Sequence, residues 1–132
     1  MNSVHSFPKK ERLCSRKAIE TLFASGNRSL TAFPLRVVYT PAEETQVLIS
    51  VSKRHFKHAV DRNRAKRQIR EAWRQNRSIL ITPLLPDVID APTPSLHLAF
   101  IWLADEPQPS ELVHRKLKNL LHRIREQLMT TG

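Results

Sequence analysis

Residues 53–77 read KRHFKHAVDRNRAKRQIREAWRQNR, and the rest of the chain is placed by working outward from them. Ten are basic: Lys53, Arg54, Lys57, Arg62, Arg64, Lys66, Arg67, Arg70, Arg74 and Arg77. Only Asp61 and Glu71 are acidic, so the stretch carries a surplus of eight positive charges, against a formal net charge of +10 for the whole chain. The spacing predicts a long helix over residues 59–80. At about 100° per residue, Ala65, Ile69, Ala72 and Trp73 fall within one apolar arc, while Asn63, Lys66, Arg67, Arg70 and Arg74 fall within a neighbouring one. Arg64, Gln68 and Glu71 fall elsewhere. With so few acids, salt-bridge lacing does not account for the charged side. Concentrated Arg and Lys on one side of a helix point to a polyanion. Arg in particular suits paired contacts to phosphate, and such contacts position a protein on nucleic acid.

Upstream, residues 46–52 (QVLISVS) alternate Val47, Ile49 and Val51 to one side and predict a strand leading into the basic stretch. Residues 34–40 (PLRVVYT) predict another, and residues 41–45 a turn between them, so the two are expected to pair as an antiparallel hairpin. Residues 15–25 predict a short helix with Ile19, Leu22 and Phe23 on one face. Gly26 then suits the left-handed position after a helix end. Downstream, residues 81–95 hold four prolines and predict a long connection. Residues 96–103 (LHLAFIWL) are apolar on nearly both faces, as in a central strand. Residues 110–129 predict a last helix, with Ser110 as its N-cap and a stripe of Val113, Leu117, Leu120, Leu121, Ile124 and Leu128. The order helix, strand, strand, long helix, strand, helix predicts a two-layer α/β (α+β) sandwich.

The chain has 132 residues, 40% of them apolar, which suits one domain with one core of modest size. The expected division is a flexible basic arm over residues 1–12 and a single RNA-binding domain over residues 13–132. The sequence pI of about 10.7 is typical of small nucleic-acid binders. A single cysteine, Cys14, excludes an internal disulfide and suits a reducing compartment. No apolar run approaches the roughly 20 residues of a membrane helix. A cytoplasmic protein off the membrane, needing no protein oligomer, is expected.

The order of residues around the helix carries a resemblance. Ser52-Lys53-Arg54, followed by Ala59-Val60-Asp61-Arg62-Asn63-Arg64-Ala65-Lys66-Arg67-Gln68-Ile69-Arg70-Glu71-Ala72, resembles the signature of the bacterial ribonuclease P protein component. Arg12-Leu13, Ile19, Phe23, Gly26 and Tyr39 extend it upstream, so that it covers most of residues 12–80. The resemblance implies a small subunit that assists a catalytic RNA in removing the 5′ leader of precursor tRNA. It implies RNA contacts at Lys53, Arg54, Arg62, Asn63, Arg64, Lys66, Arg67 and Arg70, to which Lys57 and Arg74 are added as expected contacts from the same basic stretch, and a leader cleft lined by Ile19, Phe23 and Tyr39. It also implies a mixed sheet in which the basic helix forms a left-handed crossover between parallel strands, against the usual hand. The expected partners are ribonuclease P RNA and the precursor leader. Magnesium would be held through the RNA subunit, with no cofactor or metal on the chain alone. The sequence departs from the family pattern at Lys57, where glycine is usual, at Ile19, where an aromatic is common, and at Ala104-Asp105, where a basic residue is frequent.

No self-sufficient active site is legible. His55 and His58 form a His-x-x-His, but a structural zinc site wants four ligands. Asp87 and Asp90 lie in the proline-rich connection, a poor scaffold for paired acids around magnesium. His114 and His122 are expected at the surface of the last helix. Trp73 and Trp102 are expected in the core. The alternative readings are a non-catalytic ribosomal or regulatory RNA-binding protein, and a protein-only nuclease.

Overall fold

The computed structural model describes residues 11–24, 27–83, 87–89 and 93–131. Its elements in chain order are α1 (Arg16–Leu22), β1 (Arg28–Ala32), β2 (Leu35–Pro41), β3 (Gln46–Ser50), α2 (Ala59–Asn76) with a 3-10 turn at Arg77–Ile79, β4 (Leu96–Trp102) and α3 (Ser110–Thr131). The four strands form one mixed sheet in the order β1-β2-β4-β3. The first two neighbouring pairs are antiparallel and β4/β3 is parallel.

This order corrects the expected hairpin. β2 and β3 do not pair, because β4 lies between them. The link after β2 receives β4 directly: Ala42 N–H donates to the Ser95 carbonyl at 2.9 Å, and Leu96 N–H donates to Thr45 Oγ1 at 3.2 Å. The hairpin that does form joins β2 to β1, a strand absent from the sequence reading, through the tight Phe33-Pro34 turn. β1 is an edge strand that sends only Leu30 and Ala32 toward the core, so its apolar signal is weak. β3 and β4 run parallel with α2 between them in the chain, which makes α2 the crossover.

Alternation along β2 builds two faces. Leu35, Val37 and Tyr39 join Leu98, Phe100 and Trp102 of β4 in the main core, covered by Ala65, Ile69, Ala72 and Trp73 of α2 and by the Val113–Ile124 stripe of α3. The Trp73 and Phe100 rings meet at 5.9 Å, and Phe56 packs on Trp102 at 6.0 Å. Gln68, placed outside the apolar arc by projection, is only 8% exposed. Its Nε2 donates to the Gln108 carbonyl at 2.8 Å and to Ser110 Oγ at 3.0 Å. Arg125, late in α3, donates to the carbonyls of Ile79, Thr82 and Pro83 just beyond α2. The two helices therefore run side by side in the same direction. Ser110 is the first residue of α3 instead of its cap, and its hydroxyl serves Gln68.

The reverse face holds a smaller cluster: Val38 of β2 and Ala99 of β4 with Leu13 and Leu22, flanked by half-buried Ala18, Ile19, Leu48 and Ile101. The sandwich of sheet and long helices is thus supplemented by α1 on the other side. α1 starts at the Ser15 cap, whose Oγ accepts from Ala18 N–H at 3.3 Å. It ends three residues before the expected 25, where Asn27 Nδ2 donates to the Thr21 and Leu22 carbonyls, both at 2.6 Å. Gly26 lies outside the described residues. So do residues 1–10 of the expected arm. The last two residues of that arm are tied down. Glu11 accepts from Arg77 Nη1 at 2.5 and 2.6 Å, and Arg12 bridges to Val47 beside the edge of β3.

Candidate nucleic-acid interface

The basic segment divides into a loop over residues 51–58 and the exposed side of α2. The loop folds without the expected glycine because other groups hold it. His55 and Phe56 N–H donate to the Ser52 carbonyl at 3.1 and 3.3 Å, and Arg54 N–H donates to Ser52 Oγ at 3.0 Å. Phe56 is buried against Trp102. Arg62 Nη1 reaches back from α2 to the Phe56 and Lys57 carbonyls, both at 2.9 Å. His55 Nδ1 lies 2.7 Å from Asp105 Oδ1. These bonds leave Lys53, Arg54 and Lys57 exposed along the loop.

On α2, burial of Ala65, Gln68, Ile69, Ala72 and Trp73 fixes which side faces outward. Asn63, Arg64, Arg67 and Arg70 are exposed and Lys66 is half-buried at the flank. Among the described residues, the side chains of Lys53, Arg54, Lys57, Arg64, Lys66, Arg67 and Arg70 have no hydrogen-bond or ion-pair partner. Unpaired cations on a fixed frame sum to a field that attracts phosphate.

Two of the predicted contacts, Arg62 and Arg74, have partners within the chain, as does Arg77, which lies outside the predicted set. Arg62 braces the loop. Arg74 bonds Glu71 through Nε and Nη2, and that bond holds the Glu71 carboxyl below its ordinary range and the Arg74 guanidinium above its own. Arg77 is held by Glu11.

The expected leader cleft does not assemble from its three residues. Ile19 is half-buried on the reverse face, and Phe23, at the end of α1, is 46% exposed beside it. Tyr39 points the opposite way, 2% exposed in the main core, with its hydroxyl donating to Gln127 of α3. Burial pushes the Tyr39 phenol up, with nearby Arg28 opposing. The reverse face does hold a cavity of about 500 Å³, lined by Lys17, Thr21, Thr40, Glu44, His97 and their neighbours. Arg36, two residues before Val38 on the same face, is exposed and donates from Nε to Ser29 Oγ at 2.8 Å. The cavity and Arg36 were missed by sequence reasoning, because which face α1 covers is set by the strand order.

No three His, Cys, Asp or Glu converge in a set that could hold a metal ion, among the described residues. His58 and Asp87 are exposed, and Asp90 lies outside the described residues. No described helix is long and apolar enough to cross a membrane.

Comparison with known proteins agrees with this geometry. A family model described as Ribonuclease P matches residues 7–125. The chain is 39% identical to the ribonuclease P protein component of Porphyromonas gingivalis strain W83 over 121 residues, covering 88% of this chain and 84% of that one. It is 32% identical to the Chlorobium phaeobacteroides component, covering 96% and 93%. The fold matches the solved RNase P protein of Thermotoga maritima with a TM-score of 0.66 at 24% identity, over 86% of this chain and 96% of that one. It matches the Staphylococcus aureus protein with a TM-score of 0.67 at 18% identity, over 86% and 94%. A basic crossover helix with most of its outward cations unpaired among the described residues, on this fold, is joined by a family match over residues 7–125 and by relatives of this identity, and the chain belongs to the ribonuclease P protein family, the accessory subunits of an RNA-based endoribonuclease of tRNA processing.

Proposed function

We propose that this subunit uses the two sides of its sheet for two RNAs. The loop carrying Lys53, Arg54 and Lys57, with Asn63, Arg64, Lys66, Arg67 and Arg70 of α2, docks on ribonuclease P RNA. The α1 side, with Ile19, Phe23 and Arg36, takes the single-stranded 5′ leader of precursor tRNA. The observation that carries the docking surface is the set of exposed cations without internal partners, on a helix whose other side is anchored in the core. The leader assignment is supported by the exposed Phe23 ring and the exposed Arg36 on one side of the sheet, the residue types that single strands favour. Tyr39 has no part in it, since its ring and hydroxyl are engaged on the other face. Magnesium belongs to the RNA subunit in this reading, and the setting is cytoplasmic.

Reconstitution at limiting magnesium tests it. Ribonuclease P RNA with the protein should remove the leader faster than the RNA alone, and the protein alone should not cleave. Cleavage without RNA would assign the chemistry to the chain. No effect on the RNA's rate would leave a plain RNA-binding protein.

A further inference from the structure

Asp105 is a carboxylate set against the loop that presents Lys53, Arg54 and Lys57. It follows β4, 50 residues from His55, and its Oδ1 lies 2.7 Å from His55 Nδ1. The Asp105 side chain is 80% exposed and that of His55 12%. A carboxylate beside a phosphate-binding loop repels the ligand unless it does something else for binding. The other polar bonds of the loop come from Ser52 and Arg62, close in sequence. His55–Asp105 is the polar tie between the loop and the far end of β4 among the described residues, next to the apolar tie of Phe56 to Trp102. The imidazole donates from Nδ1 whether neutral in that tautomer or protonated, and the carboxylate accepts in both cases.

We propose that Asp105 is a positioning residue for the RNA-docking loop. By accepting from His55 it holds the backbone from which Lys53, Arg54 and Lys57 reach phosphate, so less ordering remains to be done when the RNA binds. This rests on the reading of the loop as a docking surface. Charge and geometry then pull in opposite directions, and that makes the test decisive. If Asp105 acted only as a charge, its removal would strengthen RNA binding. As a positioning group, its removal weakens it.

The experiment measures affinity for ribonuclease P RNA with Asp105→Ala, Asp105→Asn, His55→Ala and the double alanine variant, with thermal unfolding of each to confirm folding. Asp105→Ala should bind roughly three- to tenfold more weakly. Asp105→Asn should recover most of the loss, because its amide oxygen still accepts. The double variant should be no weaker than the weaker single one, since both remove the same bond. Binding by Asp105→Ala equal to or tighter than that of the unaltered protein overturns the proposal, as does Asp105→Asn failing to recover. A Lys53→Gln/Arg54→Gln variant separates the two levels. If it binds unchanged, the loop is not a docking surface. If it weakens binding while Asp105→Ala does not, only the positioning role falls.

Discussion

Arg67 and Arg74 stand two helical turns apart on the same side of α2, yet the structure gives them different work. Arg67 and Arg70 have no partner among the described residues, whereas Arg74 is closed onto Glu71. Replacing Arg67 and Arg70 together by Gln should therefore lower the slope of log affinity against log salt by roughly 1 to 2, as two phosphate contacts are lost. An unaltered slope would clear that face of RNA. Arg74→Gln should change the slope much less. Glu71→Gln frees Arg74 and removes an acid, so it should raise affinity about twofold or more. The same pair has a pH signature. Its bond from Arg74 holds the Glu71 carboxyl below the ordinary 4.5. Its contribution to stability is complete above that value and is lost as pH falls through the lowered one. Glu71→Gln should flatten that part of the acid unfolding curve. Tyr39 has the opposite sign. Its phenol is raised above 10.0 by burial, so the linked stability is present below 10.0 and lost as pH rises through the raised value. Tyr39→Phe should shift alkaline unfolding to higher pH and cost about 1 kcal/mol at neutral pH for the lost Gln127 bond. It should leave binding of precursor tRNA unchanged, and a selective loss there would return Tyr39 to the leader site.

At the scale of elements, α1 is the part that cannot stand alone. Arg16–Leu22 is far shorter than the roughly 12 to 15 residues at which isolated helices become marginal. It persists through the Ser15 cap, the Asn27 bonds and the burial of Leu22. Leu22→Ala should cost about 2 to 5 kcal/mol and weaken every RNA interaction that needs α1. Phe23→Ala removes an exposed ring, so it should leave the unfolding midpoint nearly unchanged and reduce affinity for precursor tRNA more than for mature tRNA. Equal losses with both RNAs would show that Phe23 does not meet the leader. The same scale shows what could be read before folding. α2 and α3 were legible because long apolar stripes repeat with the helical period, and β4 because it is apolar on both faces. The hairpin was misread because adjacency in the chain favours pairing, and nothing local reports that β4 inserts between β2 and β3. Gln68 was misread because projection sees only its own helix, while its burial comes from the start of α3. The cations were legible as a group. Which of them are free was not, since Glu11, which holds Arg77, comes from a distant segment, and Arg62 is consumed by the loop that precedes it.

For the whole molecule, the sheet is a partition. The main core joins β2 and β4 to α2 and α3, and the smaller cluster joins the same two strands to α1. The docking cations and Phe23 are carried by elements on opposite sides of β4. They share no described hydrogen bond or ion pair, so perturbing one leaves the geometry of the other in place. Free-energy changes at distant, unconnected sites add to within about 0.5 kcal/mol. Combining Arg67→Gln/Arg70→Gln with Phe23→Ala should thus give a loss in precursor affinity, measured with the reconstituted enzyme, equal to the sum of the separate losses. The docking pair should act through assembly with the RNA subunit, and Phe23 through substrate affinity once assembled at saturating protein. A coupling of 1 kcal/mol or more would mean that both RNAs reach the same surface. The sheet would then be a scaffold for one continuous site, and the division of labour between its two faces would be wrong.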